Sequence, residues 1–489
     1  MPVFPALLAG DGSPGRMREH RRAGRGGGIA YNRAMTVFDP SQACDIAIVG
    51  GGAAGVLTAV GVLRGAVDAR RVVLIEPQLP PGQGVAYATR YPEHLLNVPA
   101  GKMSGFPDRP DDFLDYLVEQ RAFPQLERDT LAQAFVPRLH YAAYLQQRLQ
   151  QAMEASPARL EIRAARVAAM EKRADGLVLQ LDSGAALLAA SVVLCTGNAL
   201  RPLPARGADA LPADRCSEAW DFLAVRAIPP TADVAIVGSG LSMADSVASL
   251  LACGHRGQVH VLSRHALLPL PHAKGPAADY DPQPLLAMTL RQRLHALRRH
   301  VDEAALRGIP WQNVMERIRP LGQALWQSLS AADQRRFLRH VVRYWDVHRH
   351  RIAAPVHAQL VELRQQGRLH LHRGRLEAVV AEGNGVRLSV RGRWQPPFQL
   401  EVQHVINATG VETRTQAMRS PLLQQLLDSG SARPGPHGIG LDSAPDASLL
   451  DADGVADARI RVVGSLRIGS LWESLAIPEL RVQAAGLYP

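Results

Sequence analysis

Two glycine-rich runs stand out by residue type and spacing: Gly50-Gly51-Gly52-Ala53-Ala54-Gly55 and Gly238-Ser239-Gly240-Leu241-Ser242-Met243-Ala244. Each follows a short apolar stretch and opens an apolar helical run, the context in which such turns bind dinucleotides. In the first, Gly50 permits the tight turn, Gly52 lets the backbone approach a pyrophosphate, and Gly55 lets the helix pack closely on the strand. The helix N-terminus adds unpaired N–H groups and a partial positive charge for the phosphates. Glu76 ends the next strand, 21 residues beyond Gly55, where an acidic side chain can hydrogen-bond ribose hydroxyls. After the second run, with Gly238, Gly240 and Ser242, the next strand finishes at Ser263 and continues with Arg264. A guanidinium there attracts a 2′-phosphate that a carboxylate would repel, which favours NADPH and leaves NADH open. Two unlike dinucleotide sites in one chain imply electron transfer between two cofactors.

Other redox and metal chemistries lack their residues. No Cys-x-x-x-x-Cys follows the first run, so the thiol pair of a disulfide reductase is missing. No Phe-x-Gly-x-x-x-His precedes the second, which removes the fingerprint of flavin-containing and Baeyer–Villiger monooxygenases. No metal set is expected, and His348-Arg349-His350-Arg351 reads as a solvated or phosphate-facing basic stretch. Cys44, Cys195, Cys216 and Cys253 are too scattered for a zinc pattern or a disulfide framework and read as reduced thiols of a cytoplasmic protein.

The elements that must position these residues repeat. Asp45 to Gly50 reads as a buried strand, Ala53 to Leu63 as a helix and Val72 to Glu76 as the next parallel strand. The same grammar recurs at Asp233 to Gly238, Ser242 to Cys253 and Gln258 to Ser263. Short alternating strands then begin at Arg159 and Arg368 and end in Cys195-Thr196-Gly197 and Ala408-Thr409-Gly410. The expected fold is α/β, with two Rossmann-like dinucleotide-binding domains in the manner of glutathione-reductase-like two-domain flavoproteins, the second inserted in the first. Residues 44–200 and 402–489 would form the first domain and 201–401 the second, with a helical insertion at about 272–366. Leu290 to Arg299, Trp311 to Leu329 and Asp333 to Tyr344 read as its amphipathic helices, arginine-rich on one face. Arg461 to Gly464 reads as a strand and Glu473 to Ala485 as a helix that accepts Pro478 early in its course.

The 489 residues, 47% hydrophobic, suit two or three domains with proper cores. The net charge of +10 is partly local: Arg16, Arg18, Arg21, Arg22, Arg25 and Arg33 face only Asp11 and Glu19 near the N-terminus, so nucleic acid is not inferred as a partner. Residues 1–43 have the composition of a disordered tail, and Met35 stands just before a strand-like segment, so a start at Met1 and one at Met35 both stay open. No apolar run approaches the roughly 20 residues of a membrane span.

A more distinctive signal lies in Gly84-Val85-Ala86-Tyr87 and in His94-Leu95-Leu96-Asn97-Val98-Pro99-Ala100-Gly101-Lys102-Met103-Ser104. Phe135-Val136-Pro137-Arg138, Ala408-Thr409-Gly410, Leu471-Trp472-Glu473-Ser474 and Ile477-Pro478-Glu479-Leu480-Arg481 extend it. From Asp45 to the C-terminus the chain resembles a family of FAD/NAD(P)-binding proteins that includes FAD-dependent urate hydroxylases and aspartate N-monooxygenases. The resemblance implies FAD in the first domain, NADH or NADPH as co-substrate in the second, and transfer of one oxygen atom from a C4a-hydroperoxyflavin to a small substrate. Urate, giving 5-hydroxyisourate, is the first expectation. An amino-acid amine such as that of aspartate is the alternative, and a reductase or oxidase without substrate oxygenation is the other. Asn97 and Met103 would lie at the flavin, with Lys102 as an anion-facing charge, while Arg138, Thr409, Gly410 and Gly464 would join the cofactor sites. One departure stands beside them: Gly464 is followed by Ser465, where related flavoproteins carry an acidic residue. The insertion would cover the cleft and keep water out.

Overall fold

The computed structural model describes residues 43–392 and 395–487. The expected tail and the choice between Met1 and Met35 lie outside the described residues.

The first sheet has eight strands. β1 (Ala43–Val49), β2 (Arg71–Ile75), β3 (Arg159–Arg163), β4 (Val167–Arg173), β5 (Gly176–Leu181) and β6 (Ala186–Leu194) come early, and β16 (Ser448–Leu450) and β17 (Ala456–Val462) join late. Its parallel core runs in the order β3-β2-β1-β6-β17, with β4 and β5 as an antiparallel meander on β6. Ile46, Ala47 and Ile48 of β1 and Val72, Val73 and Leu74 of β2 are all buried, as continuous apolar runs must be when a parallel sheet is covered on both faces.

The second sheet repeats that plan with seven strands: β8 (Cys216–Glu218), β9 (Val234–Val237), β10 (Val259–Ser263), β11 (Leu369–Glu382), β12 (Gly385–Gly392), β13 (Phe398–Val402) and β14 (His404–Asn407). Its parallel core is β11-β10-β9-β14-β8, the same arrangement in space as the first. The long β11 does the work of two earlier strands, pairing parallel with β10 over its first half and antiparallel with β12 over its second. All seven strands fall between β6 and β17, so the second sheet is built from chain inserted into the first. The two crossing segments, β7 (Ala199–Leu200) and β15 (Val411–Glu412), pair with each other. A boundary at residue 402 cuts this second sheet, because β14 pairs with both β9 and β8; the chain returns to the first sheet only after β14.

On the first sheet, α1 (Ala53–Gly65), α2 (Arg138–Ala155) and the C-terminal helix α10 (Ile477–Ala485) share one apolar cluster through Val56, Val60, Tyr141, Tyr144 and Leu480. On the second, α3 (Leu241–Ala252) packs with α9 (Ala354–Gln365) through Met243, Val247, Leu360 and Leu363. Within the expected 272–366 insertion, α9 is therefore the crossover helix between β10 and β11. The helices that leave this plan are α4 (Leu290–Leu306), α5 (Trp311–Ile318), α6 (Gly322–Gln327), α7 (Ala331–Arg336), a π-helical turn (Phe337–Val341) and α8 (Val342–Arg349). They carry small cores of their own, one around Ala296, Met315, Ile318 and Leu325 and another around Trp326 and Phe337. Their arginines are not all on a wet face: Arg293 is buried and donates to the carbonyls of Met288 and Leu286. The last helix starts at Ile477 instead of Glu473, because Trp472 has φ +61° and Pro478 fits the first turn. Among the described residues no helix is long and apolar enough to cross a membrane.

Candidate active site

Both glycine turns sit at strand ends where backbone crowds backbone. Gly50 has φ +100°, and a Cβ there would overlap the Cys195 carbonyl at the end of β6; one on Gly55 would overlap the Gly50 carbonyl. Gly52 differs, since a Cβ on it would meet only Gly84 Cα at 3.6 Å. Gly52 is the N-cap of α1 with no side-chain cap, and no acidic residue lies in the first turn. The first N–H groups of α1 are thus free of side-chain acceptors, as a phosphate site needs. Glu76 turns back on this loop and accepts hydrogen bonds from Gly51 N–H at 2.6 Å and Gln78 N–H at 2.9 Å. Thr196 Oγ1, beside the turn, is buried without a partner among the described residues. An open, uncapped turn, a carboxylate at the adjacent strand end and an unsatisfied hydroxyl together fit the adenosine diphosphate part of FAD.

The second turn has the same build. Gly238 has φ +114° against the Ala408 carbonyl, while a Cβ on Gly240, the uncapped N-cap of α3, would meet nothing within 4 Å. Ser242 is half-buried in the first turn of α3. Thr409 binds Asn407 Oδ1 through both N–H and hydroxyl, and Gly410 follows at φ +87° in open space. Arg264 follows β10, and the charges acting on it are those of Arg343, Arg201 and Arg375. Burial and these like charges hold its guanidinium below the ordinary value.

The insertion docks on the first sheet along one seam. His272 Nε2 donates to the Asn97 carbonyl at 3.0 Å, and burial, with Arg351 nearby, pushes its imidazole down to about 4. Arg349 joins Glu473 at 3.0 Å and Glu479 at 3.8 Å. Trp326 stacks on Trp472 with centroids 4.9 Å apart and donates to the Gly469 carbonyl. Burial raises the Glu479 carboxyl against the pull of Arg319 and Arg349. Seven buried polar atoms here have no partner among the described residues: Trp345 Nε1, Arg351 Nε, Ser470 Oγ, Glu473 Oε1, Ser474 Oγ, Glu479 Oε2 and Arg481 Nε. Buried polar groups are normally satisfied, so this density of orphans marks a seam completed by something polar.

The sequence-derived candidates fare unequally. Asn97 lies at the seam and is bound through its carbonyl. Lys102 is no lone anion-facing charge: it pairs with Glu316 at 3.4 Å, and Glu316 is also held by Arg351. Met103 is 3% exposed and belongs to the apolar cluster under the first sheet, so packing accounts for it. Arg138 is turned to the second sheet, where it pairs with Asp245 of α3 at 2.8 Å. Gly464 has φ +85° and donates to Gln483 Oε1, and Ser465, in the usual acidic position, donates to the Gly197 carbonyl at 2.6 Å.

Arg349, Glu473, His272 and the buried His94, which bridges Thr89 and Ser249, were not found from sequence as contacts between elements. His94, Glu473 and Arg349 lie in stretches that stand out by residue type, but nothing local to those stretches names the partner each one meets. Burial pushes Cys195 and Cys44 up to about 12 and Cys216 up to about 11, so none of these three is a ready thiolate.

Residues 47–199 match a family model described as FAD-NAD(P)-binding. No curated protein sequence matches the chain. Among solved structures, the ornithine N-hydroxylase of Kutzneria sp. 744, solved with reduced FAD, NADP+ and L-ornithine, superposes with a TM-score of 0.62 at 15% identity, over 91% of this chain and 98% of that one. Ornithine hydroxylase from Pseudomonas aeruginosa gives 0.62 at 19% identity over the same shares. Bacillithiol disulfide reductase from Staphylococcus aureus gives 0.53 at 12%, covering 91% of this chain and 97% of that one. The fold is that of two-domain FAD/NAD(P)-binding flavoproteins, a scaffold that serves more than one chemistry.

Proposed function

We propose that this protein is an FAD-dependent, NADPH-consuming monooxygenase that hydroxylates the amine of a small, amino-acid-like substrate. The observation that carries the reading is the unlike pair of dinucleotide turns, one backed by Glu76 and the other by Arg264, with an insertion docked across the strand-end seam. The similar ornithine hydroxylases support an amine over urate.

The balanced reaction is R–NH2 + O2 + NADPH + H+ → R–NHOH + H2O + NADP+. FAD bound at the first turn supplies the two-electron chemistry and the reaction with O2. This chain's residues do the rest. The uncapped α1 amides and Gly52 take the pyrophosphate, Glu76 the ribose, and the first turn of α10 presents its positive end toward the seam. Gly240 and Arg264 hold the nicotinamide coenzyme, and the insertion keeps bulk water from the seam.

The purified protein should be yellow or become so with FAD. NADPH oxidation is then followed with ornithine, lysine, aspartate and urate, with products read by mass. An amine that both speeds oxidation and gains one oxygen atom supports the reading. A protein that cannot be loaded with FAD, or one that returns all its electrons as hydrogen peroxide with every substrate, overturns it.

A further inference from the structure

The arginines around the end of β10 lead to an inference that rests on the coenzyme reading above. Ser263, the last residue of β10, is tied to the second glycine turn, since Ser239 Oγ lies 2.9 Å from Ser263 Oγ and 2.7 Å from the Leu267 carbonyl. That places Arg264 at the strand end where the adenosine ribose of a dinucleotide lies. The register pairs Ser263 with Arg373, so Arg375 emerges at the same end of the neighbouring β11. A third segment arrives from the insertion: Tyr344 of α8 meets the His265 ring edge-on at 5.8 Å, and Arg343 precedes it. Arg201 stands close by but is already paired with the buried Glu412.

Three guanidiniums drawn together from β10, β11 and α8 repel one another. Among the described residues Arg343 has one carboxylate partner, Asp346 at 3.0 Å, and the charges that bear on Arg264 are all positive. A phosphate monoester, with nearly two negative charges and three acceptor oxygens, is the ligand that relieves such a cluster. The diphosphate of the coenzyme is accounted for by Gly240 and the α3 amides, which leaves the 2′-phosphate for the arginines.

We propose that Arg343, contributed by the helical insertion, joins Arg264 and Arg375 in holding the 2′-phosphate of NADPH, so that the phosphorylated coenzyme fastens the insertion to the second sheet. NADH, which has no such phosphate, leaves that link unmade. The insertion is then part of coenzyme selection as well as a cover for the seam.

Calorimetry on the full chain with FAD added, using 2′,5′-ADP and 5′-AMP as probes, tests this without turnover. Arg343→Ala should weaken 2′,5′-ADP roughly ten-fold and leave 5′-AMP unchanged. Asp346→Asn breaks the same ion pair but keeps the guanidinium, so it should bind 2′,5′-ADP as well as the unaltered protein or better. Hydrogen exchange adds a second readout: 2′,5′-ADP should slow exchange in 342–349 in the unaltered protein and not in Arg343→Ala, and 5′-AMP should slow it in neither. If Arg264→Ala loses 2′,5′-ADP while Arg343→Ala does not, the phosphate is held by the second sheet alone and the proposal fails. Equal affinity for the two probes in the unaltered protein also overturns it. Arginine-dependent 2′,5′-ADP binding in a protein that cannot hydroxylate any amine upholds the site and sinks the amine-hydroxylase reading instead.

Discussion

Replacing Arg349 by Met should open the seam between the insertion and the first sheet, and the cost follows from the geometry. Arg349 lies 3.0 Å from Glu473 and 3.8 Å from Glu479, and Arg349 and Glu473 are each only 8% exposed. At an effective dielectric constant of about 20 the gross attractions are about 5 and about 4 kcal/mol. Desolvation offsets much of that in the intact seam. Removing the cation alone takes the ion-pair partner from Glu473 and leaves Arg319 as the cation acting on Glu479, for which a net loss of about 3–5 kcal/mol is expected. The loss should depend on pH in a defined direction. Burial already raises Glu479, so its folded pKa lies above its unfolded one. The penalty for its charge is therefore absent below the unfolded value and grows as pH rises through the folded value. Without Arg349 the folded value climbs further, so Arg349→Met should be closer to wild type at pH 5.5 than at pH 8. Trp326 and Trp472, stacked at the seam, report its opening by fluorescence during denaturation. The triple change Arg349→Met, Glu473→Gln, Glu479→Gln, which removes all three charges, should recover most of the loss. A single mutant within about 1 kcal/mol of wild type at both pH values would refute the reasoning, as would a larger loss at pH 5.5 than at pH 8.

Other outcomes follow from the turns and the seam. Gly52→Ala places a Cβ in ordinary contact at 3.6 Å, so its FAD-free form should melt as the unaltered FAD-free protein does while it retains FAD poorly, whereas Gly55→Ala collides with the Gly50 carbonyl and should lower stability itself. Thermal melts and flavin absorbance of the two variants separate these effects. Gly240→Ala, which meets nothing within 4 Å, should raise the KM for NADPH without altering the melt or the flavin content. His272, pushed down to about 4 by burial and neighbouring Arg351, contributes stability that is present above about 6.5, its unfolded value, and lost as pH falls toward 4. His272→Gln keeps a donor for the Asn97 carbonyl, and its melting temperature should fall less steeply across that range; an unchanged slope would assign the pH dependence elsewhere.

The two glycine turns, Glu76 after the first and Arg264 after the second were legible in the sequence, because each is a local pattern. A turn that needs φ of about +100° selects glycine, and a strand buried on both faces selects a continuous apolar run. The doubled strand-helix-strand order was legible for the same reason, and with it the repeated sheet. What neighbouring residues could not specify was which charges meet. Lys102 finds Glu316 across 214 positions, Arg138 finds Asp245 across 107, and Arg349 finds Glu473 across 124. From sequence Lys102 and Arg138 were candidates for substrate and cofactor, and Arg349 was part of a solvated or phosphate-facing stretch. Folding joins each of them to a carboxylate on another element; Arg138 and Arg349 are largely buried, and a charge taken out of water is tolerated only beside its counter-ion, whereas the Lys102 pair stays exposed. Periodicity along the chain decides which face a side chain takes, while the docking of the insertion on the first sheet decides what that face meets.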